Sequence, residues 1–549
     1  MYQRIISDIL NHRGITGAAE RKEFLSPRPK TAYDPFLLTN MREGVDRLLA
    51  AIDAGRRIVI YGDYDADGVT STTVLLKTLG CLTDNLTYYI PSRLNEGYGL
   101  HMESIDRIRE AGGEFIVTVD CGSTSPDEIQ YAKRLGIDMV VTDHHNTGPN
   151  PVPGIINPKA PGDTYPFKGL AGVGVAYKLA LAVSRVRPIP RQALADALEF
   201  VTIGTIADIM PLLDENRSFV KYGLMRINSG CRNPGLRRLI ELTGMDCRTM
   251  KAVDISFGIA PRINAAGRVG DASLGVRLFM AEDPEEIEKY SRELIENNAL
   301  RKRYQEEAFE QCSEKAKLEK ENGDFLLIEA SGVHEGILGI VAGKIKDQEK
   351  RPTVIVTKNG KEYKGTARSV EKVDIFGMLN RYRDQFIHFG GHRAACGFTI
   401  DGDRIPALRE NLNRDIEEME EKDPSLFESE LHYDENAEPE DMTVELAEAL
   451  EVFEPCGKDN EQPVFRIPAV APEDWSFLKD GKKYARFRVG GLGCVLFHDA
   501  AEYADVVESS GMVDVYGTLD INEWRQARRP QLTVTDIRPA VSGVGQNDK

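Results

Sequence analysis

The sequence predicts a multidomain α/β protein: a parallel-sheet domain joined by a long helix to a smaller α/β domain, with a β-barrel of OB type at the C-terminal end. Three observations predict it. Between residues 57 and 143 short apolar strands alternate with amphipathic helices, the signature of a parallel sheet covered on both faces. Residues 281–321 hold no glycine and, apart from Pro284, no proline, and read as one highly charged helix. A helix this polar on most faces bridges domains rather than filling a core. Residues 463–540 carry several short strands between turns and little helix, which suggests a small barrel or sandwich.

Each element follows from its pattern. "RIVIYG", "NLTYYIP", "EFIVTVD" and "IDMVVTD" read as strands, separated by the helices "GVTSTTVLLKTLG", "HMESIDRIREAGG" and "PDEIQYAKRLG". "GVGVAYKLALAV" and "RQALADALEFVTIGTIAD" then close this lobe as helices. Beyond the long helix, "FLLIEA", "TVIVT" and "YKGTARSV" are strands, with "GILGIVAGKIKDQ" a helix after the first. The resulting division is a lead-in over 1–45, a catalytic-type α/β domain over 46–280, the connecting helix 281–321, a second α/β domain over 322–412, an acidic helical linker over 413–460 and a barrel over 461–541. At 549 residues, several domains are expected.

Composition narrows the class. The net charge of −18 is concentrated: residues 401–460 carry 21 acids against 5 basic residues, a net of −16, leaving about −2 for the rest. Nucleic acid is therefore not excluded as a partner; a solvated surface or linker is the ordinary reading of such a segment. Eight scattered cysteines without a CxxC pair speak against zinc and disulfides and suggest a reducing cytoplasm. No apolar run is long enough for a bilayer, the N-terminus lacks a signal-peptide core, and no membrane association is expected.

Ligands of open parallel sheets gather at the carboxyl ends of the strands, and acids accumulate there. "YGDYDADGVTS" places Asp63, Asp65 and Asp67 after the first strand, "TVDCG" places Asp120 after the third, and "TDHHN" places Asp143, His144 and His145 after the fourth. Asp208 follows in "IGTIADIMPL". Singly, each has an ordinary explanation: a turn or an EF-hand start without its closing Glu, a strand-to-helix cap, a satisfied histidine, a helix-surface acid. Jointly they repel one another unless a cation neutralises them. Carboxylates select hard ions, and an imidazole shifts preference from magnesium toward manganese. Asp65, Asp67, Asp120, His144 and Asp208 could hold two divalent ions, the clamp used in phosphoryl transfer.

In this order the four motifs resemble those of the DHH phosphoesterase superfamily. "HEGILGIVAGKI", "KGTARS" and "FGGHRAACGF" resemble the DHHA1 domain; "LAGVGVAYKL", "APRINAAGR" and "EPCGKDNEQPVF" are similar to the RecJ family of bacterial single-stranded-DNA-specific exonucleases. The resemblance implies 5′→3′ degradation of single-stranded DNA to mononucleotides in repair and recombination, with two divalent ions, Mn2+ preferred or Mg2+. It implies Asp65, Asp67, Asp120, His144 and Asp208 as metal ligands, Asp63 as a further ligand or supporting acid, and Asp143 as an orienter of histidine. His145 would contact the scissile phosphate or assist proton transfer. His392, on the "GGH" turn, would reach it from the other lobe, Gly390 and Gly391 allowing close approach. Arg93, Arg262, Arg268, Thr366 and Arg368 would bind phosphates, part of them as a 5′-end pocket. His334 is either an active-site group or a helix cap. In the tail, Trp475, Trp524 and Arg525, with Tyr484, Phe487 and Phe497 as either core or platform, suit stacking on single strands. Implied partners are a single-strand-binding protein and a RecQ-type helicase, and a monomer is expected. Cys396, Thr366 and Tyr61 depart from the family's alanine, serine and histidine. Two rivals remain: a phosphatase of short oligonucleotides or cyclic dinucleotides, and a non-catalytic DNA-binding scaffold.

Overall fold

A computed structural model describes residues 2–540 except 94, 149–150, 429–430, 479–480, 526 and the side chain of Trp524. The first sheet contains β1 (Ile58–Tyr61), β2 (Leu86–Tyr89), β3 (Phe115–Thr118) and β4 (Asp138–Val141). All pairings are parallel and the order is β2-β1-β3-β4. Alternation within β1 divides the layers. Ile58 and Ile60 join the large core with the helices Ala66–Leu79, Gly172–Val186 and Arg191–Ala207. Val59 and Tyr61 face Ile105, Ile108 and Ala132 on the opposite side. The order reverses between β1 and β3, so the loops leaving these strands open a crevice at their carboxyl ends.

The helix Pro284–Lys320 starts on the Asp283 cap. Its N-terminal half gives Ile287 and Leu294 to the first core, and its C-terminal half gives Ala308, Cys312 and Ala316 to a second. The charged faces hide one apolar stripe that serves two lobes in turn. The second lobe is a mixed sheet in the order β5-β6-β7-β9-β8, built from β5 (Leu326–Ala330), β6 (Thr353–Asn359), β7 (Glu362–Arg368), β8 (Phe386–His392) and β9 (Ala395–Asp401).

The seven remaining strands are β10 (Glu435–Asn436), β11 (Val464–Val470), β12 (Glu473–Leu478), β13 (Tyr484–Val489), β14 (Leu492–Leu496), β15 (Val513–Trp524) and β16 (Ala527–Pro539). Their order is β10-β11-β15-β16-β14-β13-β12. The sheet curls around one core that takes Phe465, Phe487, Cys494, Val515 and Val534 from five different strands.

Two expected segments turn out differently. Residues 413–460 are not one helical linker. The helix Ile405–Lys422 packs Leu408, Leu412 and Ile416 into the second lobe, while Leu446 and Leu450 of the helix Val444–Leu450 enter the C-terminal core. The stripe at i, i+4, i+8 outweighs the surrounding charge. The lead-in 1–45 is likewise divided. Ile5, Ile9, Leu10 and Phe24 pack into the C-terminal core, and Met41 and Val45 into the first.

Arg217 ties these parts together. Nearly buried, it donates to the carbonyls of Phe24 (3.1 Å), Phe453 (3.0 Å), Pro455 (3.3 Å), Val452 (3.2 Å) and Glu454 (3.0 Å). Its guanidinium lies 4.0 Å from the Phe24 ring centroid. Replacing it with methionine takes the donor from the Val452 and Glu454 carbonyls and leaves Phe24, Phe453 and Pro455 only their bonds from Lys221 and Asn460. We expect a loss of about 3 kcal/mol, read as earlier urea unfolding of the C-terminal domain. An unchanged midpoint would show the fan to be redundant. Among the described residues, no helix is long and apolar enough to cross a membrane.

Candidate metal centre and interlobe groove

The acids converge at the switch point of the first sheet. Asp63 follows β1 in the loop. Asp65 caps the helix Ala66–Leu79, accepting from the amides of Asp67 (2.9 Å) and Gly68 (3.1 Å). Asp67 therefore stands in the first helical turn and not on an open turn. The amides of Gly172 (2.7 Å) and Val173 (2.9 Å), at the start of a helix, hold its carboxylate. The Ala66 amide donates to Asn264 of "APRINAAGR" (2.8 Å), which fixes the acidic turn from below.

Two glycines permit this closeness. A Cβ on Gly172 would lie 2.5 Å from Asp120 Oδ1, and one on Gly204 would lie 2.7 Å from Asp67 Oδ1. Asp120 itself is left-handed, with φ 61°, which turns its side chain from the strand end into the cluster.

His144 Nε2 lies 3.1 Å from Asp120 Oδ1, 3.4 Å from Asp208 Oδ2 and 3.8 Å from Asp67 Oδ2. Three sets have ligand atoms within 4.8 Å of one another: Asp67, His144 and Asp208; Asp63, Asp65 and Asp120; and Asp120, His144 and His145. Asp120 belongs to two of them, as a carboxylate shared by two ions would.

The donor set fits hard divalent ions. Asp63 Oδ1, Asp120 Oδ1 and both ring nitrogens of His144 are buried without a hydrogen-bond partner, and such groups are costly unless something binds them. The electrostatics agree. Burial first, then the neighbouring carboxylates, push Asp63, Asp67 and Asp120 well above the usual carboxylate range and Asp208 up to about 7. Burial, with the charge of His145 added, holds His144 down to about 3, so it is a neutral imidazole ready to ligate.

Asp143 orients His145 and not His144. Its Oδ1 lies 2.8 Å from His145 Nδ1 and accepts the amides of His144 (2.7 Å) and His145 (3.1 Å), while Oδ2 accepts the Ser123 amide (2.9 Å). Burial alone would lower His145, but the Asp143 hydrogen bond overrides it and pushes His145 up to about 9. The same hydrogen bond holds Asp143 below its usual range despite burial.

The second lobe faces this centre across a groove. His392 ends strand β8 rather than lying on a turn, and burial followed by the charges of His145 and Lys159 lowers its pKa. A cavity of about 720 Å³ between the lobes is lined by Arg93, Tyr98, His101, Thr366, Arg368 and Gly390, among others. A Cβ on Gly390 would meet open space, whereas one on Gly391 would meet Ala395 O at 2.4 Å, so the β8–β9 hairpin demands the second glycine.

Among the described residues Arg368 donates only to the Ala367 carbonyl (2.8 Å) and Thr366 Oγ1 (3.4 Å), and Thr366 to the Cys396 carbonyl (3.4 Å). Arg93 stacks on Tyr64 at 4.9 Å. Arg268 spends one N–H on the Gly336 carbonyl (2.9 Å) and so also ties the lobes. Arg262 donates to the Gly258 carbonyl and keeps a buried, unpartnered Nε. His334 is a cap, accepting the Gly336 amide at 3.2 Å. Tyr61 donates to the Gly99 carbonyl (2.9 Å) and is no ligand.

Several groups around the centre and the groove have no signal in the sequence. Tyr98 Oη lies 3.0 Å from His145 Nδ1 and donates to the Asp120 carbonyl (3.4 Å). Lys159 sits on a turn whose Asn157 donates to the His145 carbonyl (2.8 Å). Arg301 lies along the long helix, donating to Asn298 (2.5 Å) and Gln305 (2.7 Å), within electrostatic reach of Arg268. Tyr98 lies five residues after Arg93 in the same loop; no spacing rule singles out any of the three.

Asp208 and Ile209 end the helix Arg191–Ala207. The Met210 amide returns to the Thr205 carbonyl (3.2 Å) and the Ile209 amide to the Ile206 carbonyl (3.1 Å), the Schellman pattern that places a left-handed residue, usually glycine, at the position of Ile209. Ile209 has φ 55°, which costs a residue with a Cβ about 1–2 kcal/mol.

In the C-terminal domain, a cavity of about 1020 Å³ is lined by Trp475, Arg486, Phe487, Arg488 and Arg529. Phe487 is core, stacked on Trp475 at 4.8 Å, whereas Phe497 is 58% exposed. The Trp524 side chain lies outside the described residues, and Arg525 stands exposed beyond β15.

A doubly covered parallel sheet with clustered carboxylates at its switch point defines a metal-dependent phosphoesterase lobe. Comparison specifies which. Family models described as the DHH family N-terminal domain, the DHHA1 domain and the RecJ OB domain match residues 57–205, 322–418 and 433–536. The chain is 36% identical over 544 residues to the single-stranded-DNA-specific exonuclease RecJ of Bacillus subtilis, covering 97% of this chain and 67% of that protein. It is 33% identical to RecJ of Escherichia coli, covering 91% of each. Among solved structures it is similar to RecJ from Thermus thermophilus in complex with Mn2+, with a TM-score of 0.82 and 29% identity over 97% of this chain and 76% of that one. The same protein with Mg2+ matches at a TM-score of 0.77 and 27% identity, over 97% and 74%. The chain belongs to the RecJ family.

Proposed function

We propose that this chain is a metal-dependent exonuclease that hydrolyses single-stranded DNA from its 5′ end to mononucleotides, in DNA repair and recombination. The carrying observation is the convergence of Asp63, Asp65, Asp67, Asp120, His144 and Asp208, with Asp63, Asp120 and His144 left holding unpartnered buried atoms, beside a groove whose Arg93 and Arg368 have no carboxylate partner among the described residues. In this reading those six residues hold two divalent ions, Mn2+ or Mg2+. When bound, the ions supply a nucleophile from water near neutral pH and neutralise charge developing on phosphorus.

The chain's own residues do the rest. Asp143 fixes the ring of His145 through Nδ1 and favours its protonated form, so His145 can donate to a phosphate oxygen or the departing oxygen. His392 closes the site from the opposite lobe. Arg93, Thr366 and Arg368 receive the terminal phosphate, because a guanidinium fork matches two phosphate oxygens at once. The one-strand width expected of the groove gives strand specificity, and Trp475, Arg486 and Arg488 offer the strand a stacking and cationic surface further along. A cytoplasmic location, action as a monomer, and cooperation with a single-strand-binding protein and a RecQ-type helicase belong to the same proposal, carried by the family resemblance.

Digestion of 5′- and 3′-labelled single-stranded and duplex DNA, with and without Mn2+, tests it. Mn2+-dependent release of the 5′ label first, from single strands only, is expected; release of the 3′ label first, or equal attack on duplex, would refute it. Arg368→Ala is expected to raise KM for a 5′-phosphorylated strand about 30-fold with little change in kcat. It should also erase the preference over a 5′-hydroxyl strand. A kcat defect with that preference intact would remove Arg368 from the phosphate pocket.

A further inference from the structure

We propose that Ile209 is a substrate-contact residue, its side chain packing against the sugar and base of a nucleotide flanking the scissile phosphate. This rests on the nucleic-acid reading above and adds to it an apolar subsite beside the metal centre.

Among the described residues the side chain packs into no core. Ile209 is 70% exposed and joins no apolar cluster, although its neighbours Ala207 and Met210 both pack on the large core. Its backbone is left-handed at the position where helix ends favour glycine, and a β-branched residue is the least suited to that conformation. The apolar contact that accompanies this kind of helix end is made by the residues on either side, not by the left-handed one. Glycine at 209 would therefore relieve the backbone without opening a cavity. A local rule broken with no compensating contact is the mark of a functional position.

Its place indicates the function. Ile209 directly follows Asp208, whose carboxylate lies 3.4 Å from His144 Nε2. The half-buried Lys159, its amide held by Asn157, is within electrostatic reach of the same carboxylate. A nucleotide presents an anionic phosphate and, next to it, the apolar faces of sugar and base. A cation and an exposed branched side chain around one metal-cluster acid match that alternation. Because the contact is non-directional, it fits an enzyme that must accept every base.

The experiment compares wild type, Ile209→Gly and Ile209→Leu on a 5′-phosphorylated single strand with Mn2+, and on the same strand with its two 5′-terminal nucleotides abasic. Ile209→Gly should melt about 2 °C higher, yet lose about tenfold in kcat/KM on the intact strand, through KM. Ile209→Leu, which restores apolar bulk, should stay within about twofold of wild type. On the abasic strand the gap between wild type and Ile209→Gly should close. An Ile209→Gly variant that digests the intact strand as well as wild type overturns the proposal. So does a gap that persists undiminished on the abasic strand. A wild type that releases nothing from single strands would instead overturn the exonuclease reading, so the two failures are distinguishable.

Discussion

Asp120→Ala is expected to abolish Mn2+-dependent release of nucleotides from single-stranded DNA, with a fall of at least about 10³-fold, equivalent to about 4 kcal/mol of transition-state stabilisation. Asp120 belongs to two of the three ligand groups and lies 3.1 Å from His144 Nε2, so its loss weakens both candidate ion positions at once. The fold should survive, and in chelator it should gain stability. Asp120 is one of several buried carboxylates that repel one another, and its removal lowers that repulsion. Loss of activity together with a raised melting temperature in EDTA separates this outcome from simple unfolding. Asp120→Asn, which keeps the size but not the charge, should behave alike. Equal Mn2+-dependent rates for wild type and Asp120→Ala would end the metal-cluster interpretation.

The convergence of these acids was open to sequence reasoning because a parallel sheet sends its strand ends to one edge. Acids immediately after strands one, three and four can only meet there. The long helix was open for a similar reason, since Pro284 starts it and no later glycine or proline interrupts it. What stayed hidden depends on chain folding over long separations. Ile5, Ile9 and Leu10 form an ordinary amphipathic stripe, and nothing local says that its partner is Phe453 or Phe465, more than 400 residues away. In residues 405–422 the charges dominate the eye, while Leu408, Leu412 and Ile416 decide the packing.

Within the site, residue type conveyed ligand capacity but not pairing. Asp143 could have served either histidine, and only the backbone at residues 143–145 assigns it to His145. Tyr98 and Lys159 carry no motif of their own, and Ile209 stands in "IGTIADIMPL" only as the apolar residue beside Asp208. Ile209 is invisible for a further reason: its distinguishing feature is a backbone angle, and an isoleucine in sequence predicts the opposite one.

The metal-free protein is expected to lose stability as pH rises from 6 to 9, and Mn2+ to cancel that loss. Asp208 has a folded pKa of about 7 against about 4 when unfolded, and Asp63, Asp67 and Asp120 are raised in the same direction. A raised carboxylate makes the folded state bind protons more tightly than the unfolded chain. Its contribution is therefore greatest at low pH and is lost as pH climbs through the folded value. His145, raised from 6.5 to about 9 by Asp143, has the same sign: its contribution is complete below 6.5 and disappears through 9. Asp143, held below its usual range, is constant across the window; His144, held down to about 3, opposes the trend only near 6.5, where its unfolded form releases its proton, and four raised carboxylates with His145 outweigh it. Divalent ions take over the work of the protons. At a concentration about 1,000 times their Kd they add about 4 kcal/mol, and most where the carboxylates are ionised. Thermal melts in EDTA should fall steadily from pH 6 to 9, and melts in Mn2+ should stay nearly level, so the two curves separate most at the alkaline end. Asp208→Asn, lacking the carboxylate that titrates near 7, should flatten the EDTA curve. Melting temperatures in EDTA that rise with pH, or a gap between the curves that narrows toward pH 9, would mean that these acids are not in electrostatic contact. The metal centre they are proposed to build would then lose its physical basis.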